Sequence, residues 1–229
     1  MDRNGMYFPH GFKVFMILVL LLVTVVALIF VGVVGVAFRD VGFSASTTVL
    51  ILVATFAGSY VNIPLAKLRA TVPMIREEYV SFFGLTYRIP HLEYGETVTV
   101  LAVNVGGALI PAGVSLYLLA KSPSALLYCF IGILGVAIVT RAVARPVKGV
   151  GIVTPAFVPP LTAAALALLL PSGAPKVVAY TAGVLGTLIG ADLSNLNVIP
   201  ELGAPMASIG GAGTFDGVFL SGIIAVLLA

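Results

Sequence analysis

The chain has 229 residues, of which 60% are hydrophobic and only 9% are charged, and its mean hydropathy is +1.16. Soluble domains carry charge on about a quarter of their residues. This composition therefore excludes an ordinary water-soluble domain and predicts a multi-pass protein whose main partner is the lipid bilayer. The net charge of +3 gives no reason to expect nucleic-acid binding. The single cysteine, Cys129, excludes an intrachain disulfide, and we expect it to be a core residue.

Seven apolar runs approach the length of about 20 residues that a bilayer core requires. The first five contain no charged side chain, and the last two contain one aspartate each. In chain order they are Val14–Phe38, Ser46–Leu65, Thr97–Ala120, Ala125–Thr140, Gly151–Leu170, Val177–Leu193 and Met206–Ala229. The first run is too long for a signal-peptide core, so we expect it to be retained as an anchor. The sequence thus predicts an all-α, polytopic membrane bundle of seven transmembrane helices, with residues 1–229 forming one domain.

Lysine and arginine near the ends of spans resist translocation and so predict orientation. If the amino terminus is inside, nine of these residues fall on the inner side and three on the outer side. The inner ones are Arg3, Lys13, Lys67, Arg69, Arg76, Arg88, Arg141, Arg145 and Lys148, and the outer ones are Arg39, Lys121 and Lys176. We expect a prokaryotic plasma-membrane protein with a cytoplasmic amino terminus and an external carboxyl terminus.

The only sizeable loop, residues 66–96, is cytoplasmic in this topology. It mixes charged residues with aromatic ones such as Tyr79, Phe83 and Tyr87. Two structures suit this composition, namely an interfacial segment at the level of the lipid headgroups and a short hairpin that turns at Gly84.

Two stretches of the chain resemble each other. Residues 106–116 and 210–220 share six identities in eleven positions, including a Gly-Gly-Ala string. The preceding spans also end alike, with Asn62-Ile63-Pro64 in one and Asn197-Val198-Ile199-Pro200 in the other. This internal sequence similarity predicts two three-helix halves that run in the same direction across the membrane, joined by a connecting helix. Chance similarity in a chain rich in small apolar residues is the alternative.

Asp192 and Asp216 are the only ionisable residues within the predicted spans. A charge in a membrane span costs several kcal/mol unless it is paired, neutralised or hydrated. At about 1.5 Å per residue, each lies about 20 Å from the outer end of its helix, and consecutive helices are usually neighbours. We therefore expect the two carboxyls to meet and to share one proton. One carboxylate could then activate water while the other group protonates a leaving group.

Two alternatives remain for these aspartates. In the first, each carboxyl finds its own hydrogen-bond partners. Asp192 would be a hydrated residue at the helix end beside Ser194 and Asn195, and Asp216 would accept hydrogen bonds from backbone N–H groups. Alternatively, Asp216 could bind a proton or cation in a transport path, since same-direction halves resemble the architecture of small sugar transporters.

Several other residues are candidates to line a substrate or ion path. Asn104 is a polar residue within the third span, although a hydrogen bond between helices would explain it equally well. Pro111 would leave a backbone carbonyl free in mid-helix, either to bind an ion or simply as the result of a kink. Asn195 and Asn197 follow Asp192, and Pro155 precedes the fifth helix.

The inventory of residues excludes other catalytic chemistry. Both histidines, His10 and His91, lie outside the spans, and no lysine lies within one. The sequence therefore offers no Ser/His pair in the membrane, no zinc motif and no Schiff-base lysine. It also has no phosphate-binding loop, so we expect neither a metal nor a cofactor.

Three strings resemble a prokaryotic family of uncharacterised multi-pass membrane proteins, domain of unknown function 1614. They are residues 104–111, residues 190–192 and residues 203–217. The resemblance implies a membrane fold and no particular activity.

A second resemblance is to the intramembrane aspartyl proteases, whose Gly-x-Gly-Asp motif opens a helix. Residues 213–216 are similar, with Phe215 in place of the second glycine. In that group a second aspartate completes the pair, a role this resemblance gives to Asp192, although no tyrosine precedes it. A Pro-Ala-Leu element of the group is similar to residues 155–157, Pro-Ala-Phe. The resemblance implies a hydrolase acting on membrane peptides, whereas the carrier alternative implies a small solute.

Overall fold

The computed structural model of the chain describes residues 10–83, 85–211 and 216–229. The described residues contain seven α-helices and five β-strands. The helices are α1 His10–Asp40, α2 Ala45–Gly58, α3 Ile110–Lys121, α4 Leu126–Val143, α5 Val158–Leu169, α6 Pro175–Thr181 and α7 Gly217–Leu228. The strands are β1 Asn62–Phe82, β2 Leu85–Asn104, β3 Arg145–Val147, β4 Gly151–Val153 and β5 Met206–Ile209.

Wider π-helical turns interrupt two of the helices. One, Val105–Leu109, precedes α3, and two more, Ala182–Gly186 and Leu188–Asp192, continue α6. A 3₁₀ turn then ends this continuous helix at Asn195, and we refer to Pro175–Asn195 as the sixth helix. Such π turns are rare in proteins, and those that do occur are often found at functional sites.

Each predicted apolar run contains one α-helix. Within the described residues, three helical segments, Gly11–Asp40, Pro123–Val143 and Pro175–Asn195, are long and apolar enough to cross a membrane. Four further apolar helices have 10–17 residues. The long apolar helices associate the protein with a membrane.

The prediction of an all-α chain is wrong, because the described residues also form two β-sheets. The predicted third span begins as a strand, since residues 97–104 belong to β2, and the predicted fifth and seventh spans begin with β4 and β5. A continuous apolar run that is rich in valine and threonine is equally typical of a buried strand, so hydropathy alone did not distinguish the two.

The loop predicted at residues 66–96 is part of a long antiparallel hairpin. The strands β1 and β2 pair from Asn62 opposite Asn104 to Phe82 opposite Leu85. Phe83 follows with a φ of 50°, and Gly84, the predicted turn residue, lies outside the described residues. Pro64 coincides with a register shift in β1 rather than with a broken helix. A proline is tolerated at such an irregularity because its nitrogen has no hydrogen for the ladder.

Glycines allow the sixth helix to pack closely against its neighbours. A Cβ on Gly183 would meet the backbone of Ser221 and Gly222 in α7 at 2.8 to 3.1 Å. A Cβ on Gly186 would meet Val136 of α4 at 2.6 Å. The sixth helix therefore lies in direct contact with both α4 and α7. Cys129 is buried in this core, as expected.

The two ends of the bundle differ. At one end, the ammonium of Lys176 lies 3.4 Å from Asp40 and donates a hydrogen bond to the carbonyl of Val226, joining α1, the sixth helix and α7. At the other end lie both sheets, and the N–H of Gly149, between β3 and β4, donates to the carbonyl of Leu202. The second end contains the candidate site.

Candidate functional site

Asp192 lies in the last π turn of the sixth helix. Its Oδ2 accepts a hydrogen bond of 2.7 Å from the backbone N–H of Gly210. The carboxyl is only partly buried, so one of its oxygens is held by the segment after β5 while the group remains at a cavity wall.

Asp216 is the residue immediately before α7 and has an extended backbone. Its carboxyl lies against Gly211, where a Cβ would overlap the carboxyl atoms. Gly210 and Gly211 have φ values of 80° and 79°, a left-handed conformation that glycine adopts without strain. The Gly210-Gly211 pair therefore contacts both aspartates, one through a hydrogen bond and the other through close packing.

Both carboxyls line the same cavity, which has a volume of about 240 Å³. The remaining lining residues come from the segment before α5, from the loop after the sixth helix, and from β5 and the segment that follows it. They are Val150, Gly151, Ile152, Ile199, Met206, Ala207, Ser208, Ile209 and Gly211. The cavity wall thus combines two acids and other polar groups with apolar side chains.

Two short strands border this cavity. Strand β5 pairs in parallel with β2, from Val100 opposite Met206 to Val103 opposite Ile209. Strand β4 pairs with β3. Within the described residues, each of β4 and β5 has one edge without a strand partner. Residues of both strands therefore contribute to the cavity wall.

A partly buried network of side chains holds β5 beside the root of the hairpin. The amide nitrogen of Asn104 donates to the carbonyl of Ser59 at 2.8 Å and to Oδ1 of Asn62 at 3.1 Å. Ser208, in β5, donates to the same Asn62 oxygen at 2.6 Å. The Oδ1 of Asn104 accepts from the N–H of Gly107. Asn104 is fully buried and hydrogen-bonded at both ends of its amide.

The other predicted site residues lie outside the cavity wall. Asn195 donates to the carbonyls of Gly190 and Ala191 and so caps the sixth helix, whereas Asn197 is exposed. Pro155 is exposed after β4, and Pro111 is buried at the start of α3. None of these four residues lines the cavity.

Sequence reasoning missed the strand residues of the cavity wall, notably Gly151, Ile152 and Ser208. Glycine and proline around two short apolar segments were the available signal. Gly149 and Gly151 lie just before and at the start of β4, and Pro205 and Gly210 bracket the four residues of β5. Such flanking residues are typical of short strands.

A family model described as a protein of unknown function, DUF1614, matches residues 56–228. The chain belongs to the DUF1614 family. The match covers the long hairpin, both aspartates and the Gly210-Gly211 pair, so the whole candidate site lies within the DUF1614 region. No curated protein and no solved structure matches this DUF1614 protein significantly.

Proposed function

We propose that this DUF1614 protein is an intramembrane hydrolase that cleaves peptides with Asp192 and Asp216 as its acid–base pair. The observation that carries the proposal is that both carboxyls line one cavity at the sheet-bearing end of the bundle. An ionised carboxyl within the membrane costs several kcal/mol, so such a group is by default a candidate for a functional site.

Two adjacent carboxyls that share one proton provide both groups that amide hydrolysis requires. The ionised carboxyl takes a proton from water as the water oxygen bonds to the peptide carbonyl carbon. The protonated carboxyl donates a hydrogen bond to the carbonyl oxygen. When the carbon–nitrogen bond breaks, a proton passes to the departing amine. General acid–base catalysis of this kind contributes about 10²- to 10⁴-fold in rate.

The cavity wall favours a peptide as the substrate. Unpaired strand edges bind extended peptides through backbone hydrogen bonds, because an added strand satisfies the same N–H and C=O groups as a native one. Within the described residues, β4 and β5 each have one edge without a strand partner, and both strands contribute residues to the cavity wall. Apolar lining residues such as Ile152 and Met206 suit the side chains of a membrane-derived peptide.

The carrier alternative has less support. It assigns Asn104 to the transport path together with Asp216. Asn104 is fully buried, hydrogen-bonded to Ser59, Asn62 and Gly107, and absent from the cavity wall. Its contacts suit a structural role at the root of the hairpin.

The proposal includes one seven-span domain with a cytoplasmic amino terminus and two same-direction halves. In support, β2 and β5 run parallel as paired strands, and each leads into a Gly-Gly string and then a helix. Gly107, from the first string, packs against the carbonyl of Gly210 in the second. Cysteine accessibility in right-side-out membranes tests the topology. Ser122→Cys should react with an impermeant maleimide, and Lys148→Cys should react only after permeabilisation.

The activity is tested with the purified full chain in liposomes and a library of single-span peptides, with mass spectrometry detecting the products. We expect cleavage by the native protein. Asp192→Asn and Asp216→Asn should each reduce it by about 10²-fold or more, whereas Asp40→Asn, at the other end of the bundle, serves as the matched control and should retain it. Undiminished cleavage by Asp192→Asn would contradict the acid–base pair.

A further inference from the structure

Two open grooves lie at the end of the bundle that carries Lys176 and Asp40, away from the aspartate cavity. The rings of Phe43 and Tyr117 stack there with their centroids 5.5 Å apart, which joins the turn between α1 and α2 to α3. Phe43 contributes to the wall of both grooves. We call them the first groove, between α1 and α2, with a volume of about 110 Å³, and the second groove, between α2 and α3, of about 440 Å³.

Both grooves extend from the end of the bundle towards the middle of the membrane. The first groove is lined along α1 from Arg39 to Val31, eight positions earlier. The second groove reaches Gly113, which is eight positions before Lys121 at the end of α3. At 1.5 Å per residue, each groove therefore ends about 12 Å below its cation. One leaflet contributes about 15 Å of hydrocarbon, so this depth suits the acyl chains of a single leaflet.

A glycine in the wall of each groove leaves it open. A Cβ on Gly35 of α1 or on Gly113 of α3 would meet nothing within 4 Å. Side chains beside the first groove, such as Val31 and Val49, are exposed. Because α1 is long and apolar enough to cross a membrane, these exposed side chains face lipid. An occupant of the first groove is therefore a component of the membrane.

Each groove has a cation at the end of the bundle. Arg39 lines the first groove, and the ammonium of Lys121 lies 5.3 Å from the ring centroid of Tyr117, which lines the second. The ion pairs among the described residues include neither cation, and Asp40 is paired with Lys176. A guanidinium matches the geometry of a phosphate group, to which it donates paired hydrogen bonds. The grooves are thus complementary to a molecule with a phosphate above apolar chains.

We propose that a diacyl phospholipid with an anionic headgroup binds at this site, with its phosphate on Arg39 and one acyl chain in each groove, on either side of Phe43. The charge of Lys121 favours a headgroup with a net negative charge over a zwitterionic one. A helix of a second copy suits the surface less well, because packed helices meet along one continuous face and the ring of Phe43 divides this surface in two. The site is independent of the proposed hydrolase activity.

Native mass spectrometry of the purified full chain, titrated with phosphatidylglycerol, tests the cation. We expect one tightly bound lipid per native chain and weaker binding of phosphatidylcholine. Arg39→Gln should weaken the binding of phosphatidylglycerol by about tenfold or more, because it removes hydrogen bonds between charged groups. Arg145→Gln, in β3 at the other end of the bundle, is the matched control and should bind like the native chain. Equal affinities of the two variants would overturn the proposal.

Filling the first groove tests the seat of the acyl chain. Gly35→Leu places a side chain in this groove, and Gly32→Leu, one turn earlier in α1, is the matched control. A Cβ at either position meets nothing within 4 Å, but only Gly35 lines the groove. We expect Gly35→Leu to lose the bound lipid and Gly32→Leu to retain it. Equal binding by these two variants would contradict a chain in the groove. Melting temperatures equal to that of the native chain establish that both variants fold.

Two further readouts distinguish the lipid from other occupants. Inorganic phosphate in excess should leave the lipid bound, because the acyl chains also hold it. Displacement by inorganic phosphate would show a simple anion site and overturn the proposal. The same spectra report the mass of the assembly. A dimer that is present in the native chain and lost in Gly35→Leu would show that a second copy occupies the groove, which would reject the lipid.

Discussion

The backbone N–H of Gly210 donates a 2.7 Å hydrogen bond to Oδ2 of Asp192, joining the end of the sixth helix to the segment before α7. Asp192 therefore has a structural contact in addition to its proposed chemistry. The contact can be tested independently of any catalytic activity.

Asp192→Ala should expose the Gly210 amide to faster hydrogen exchange. Removing the acceptor leaves the N–H of the buried Gly210 without its partner, which costs about 1 to 3 kcal/mol and corresponds to roughly 5- to 150-fold faster exchange. Exchange mass spectrometry of a peptide that contains β5 and Gly210 measures this effect. Asp192→Asn retains an acceptor oxygen and should exchange more nearly like the native protein. Equal acceleration in the two variants would show that this bond does not protect the amide.

Gly107→Ala should lower the free energy of unfolding because its Cβ would overlap the carbonyl oxygen of Gly210. Overpacking of this kind costs about 1 to 3 kcal/mol. Thermal unfolding in detergent provides the measurement. Gly113→Ala is the matched control, since a Cβ at that position in α3 meets nothing within 4 Å. It should be neutral or stabilise the helix by up to about 1 kcal/mol. A Gly107→Ala variant as stable as Gly113→Ala would be evidence against the close backbone contact.

Asn104→Ala should be among the most destabilising polar substitutions in the chain. It removes the hydrogen bonds of a fully buried amide to Ser59, Asn62 and Gly107. Each unsatisfied buried partner costs about 1 to 3 kcal/mol. Asn197→Ala, at an exposed position, should change stability by no more than about 0.5 kcal/mol. Chemical unfolding of both variants tests the difference, and similar midpoints would refute the structural role of Asn104.

Lys176 and Asp40 should be only weakly coupled. Both side chains are about one-third exposed, and ion pairs of this kind contribute about 0 to 1 kcal/mol. A double-mutant cycle with Lys176→Met and Asp40→Asn measures the coupling. Lys176→Met should cost more than Asp40→Asn because the ammonium also donates to the carbonyl of Val226. A coupling well above 1 kcal/mol would contradict this interpretation.

Hydropathy located the seven α-helices of the described residues, because apolar runs such as residues 14–38 are long enough to form helices that cross a membrane. It did not locate the strands. The hydropathy of residues 97–104 is also compatible with a membrane helix, and only their pairing with β1 and β5 makes them a strand. Long-range pairing of this kind leaves no local signal that distinguishes a buried strand from a helix.

The aspartates were identifiable from sequence because a charge inside an apolar run is conspicuous. Their surroundings were not. The contact of Gly210 with Asp192 spans eighteen positions, and Ser208 reaches Asn62 across 146. Asn104 is conspicuous in the sequence as a polar residue in an apolar run, but its hydrogen-bond partners could be known only from the fold.

The unbroken cross-strand register between Ala66 and Leu101 has a consequence for evolution. Loss of one amino acid from a single arm would turn every following side chain to the opposite side, since neighbouring positions of a strand face opposite ways. Insertions and deletions should therefore be inherited as balanced changes, equal in both arms. Among relatives, the length of the β1–β2 hairpin should therefore vary by equal changes in both strands, while Asp192 and Asp216 near its base stay in place.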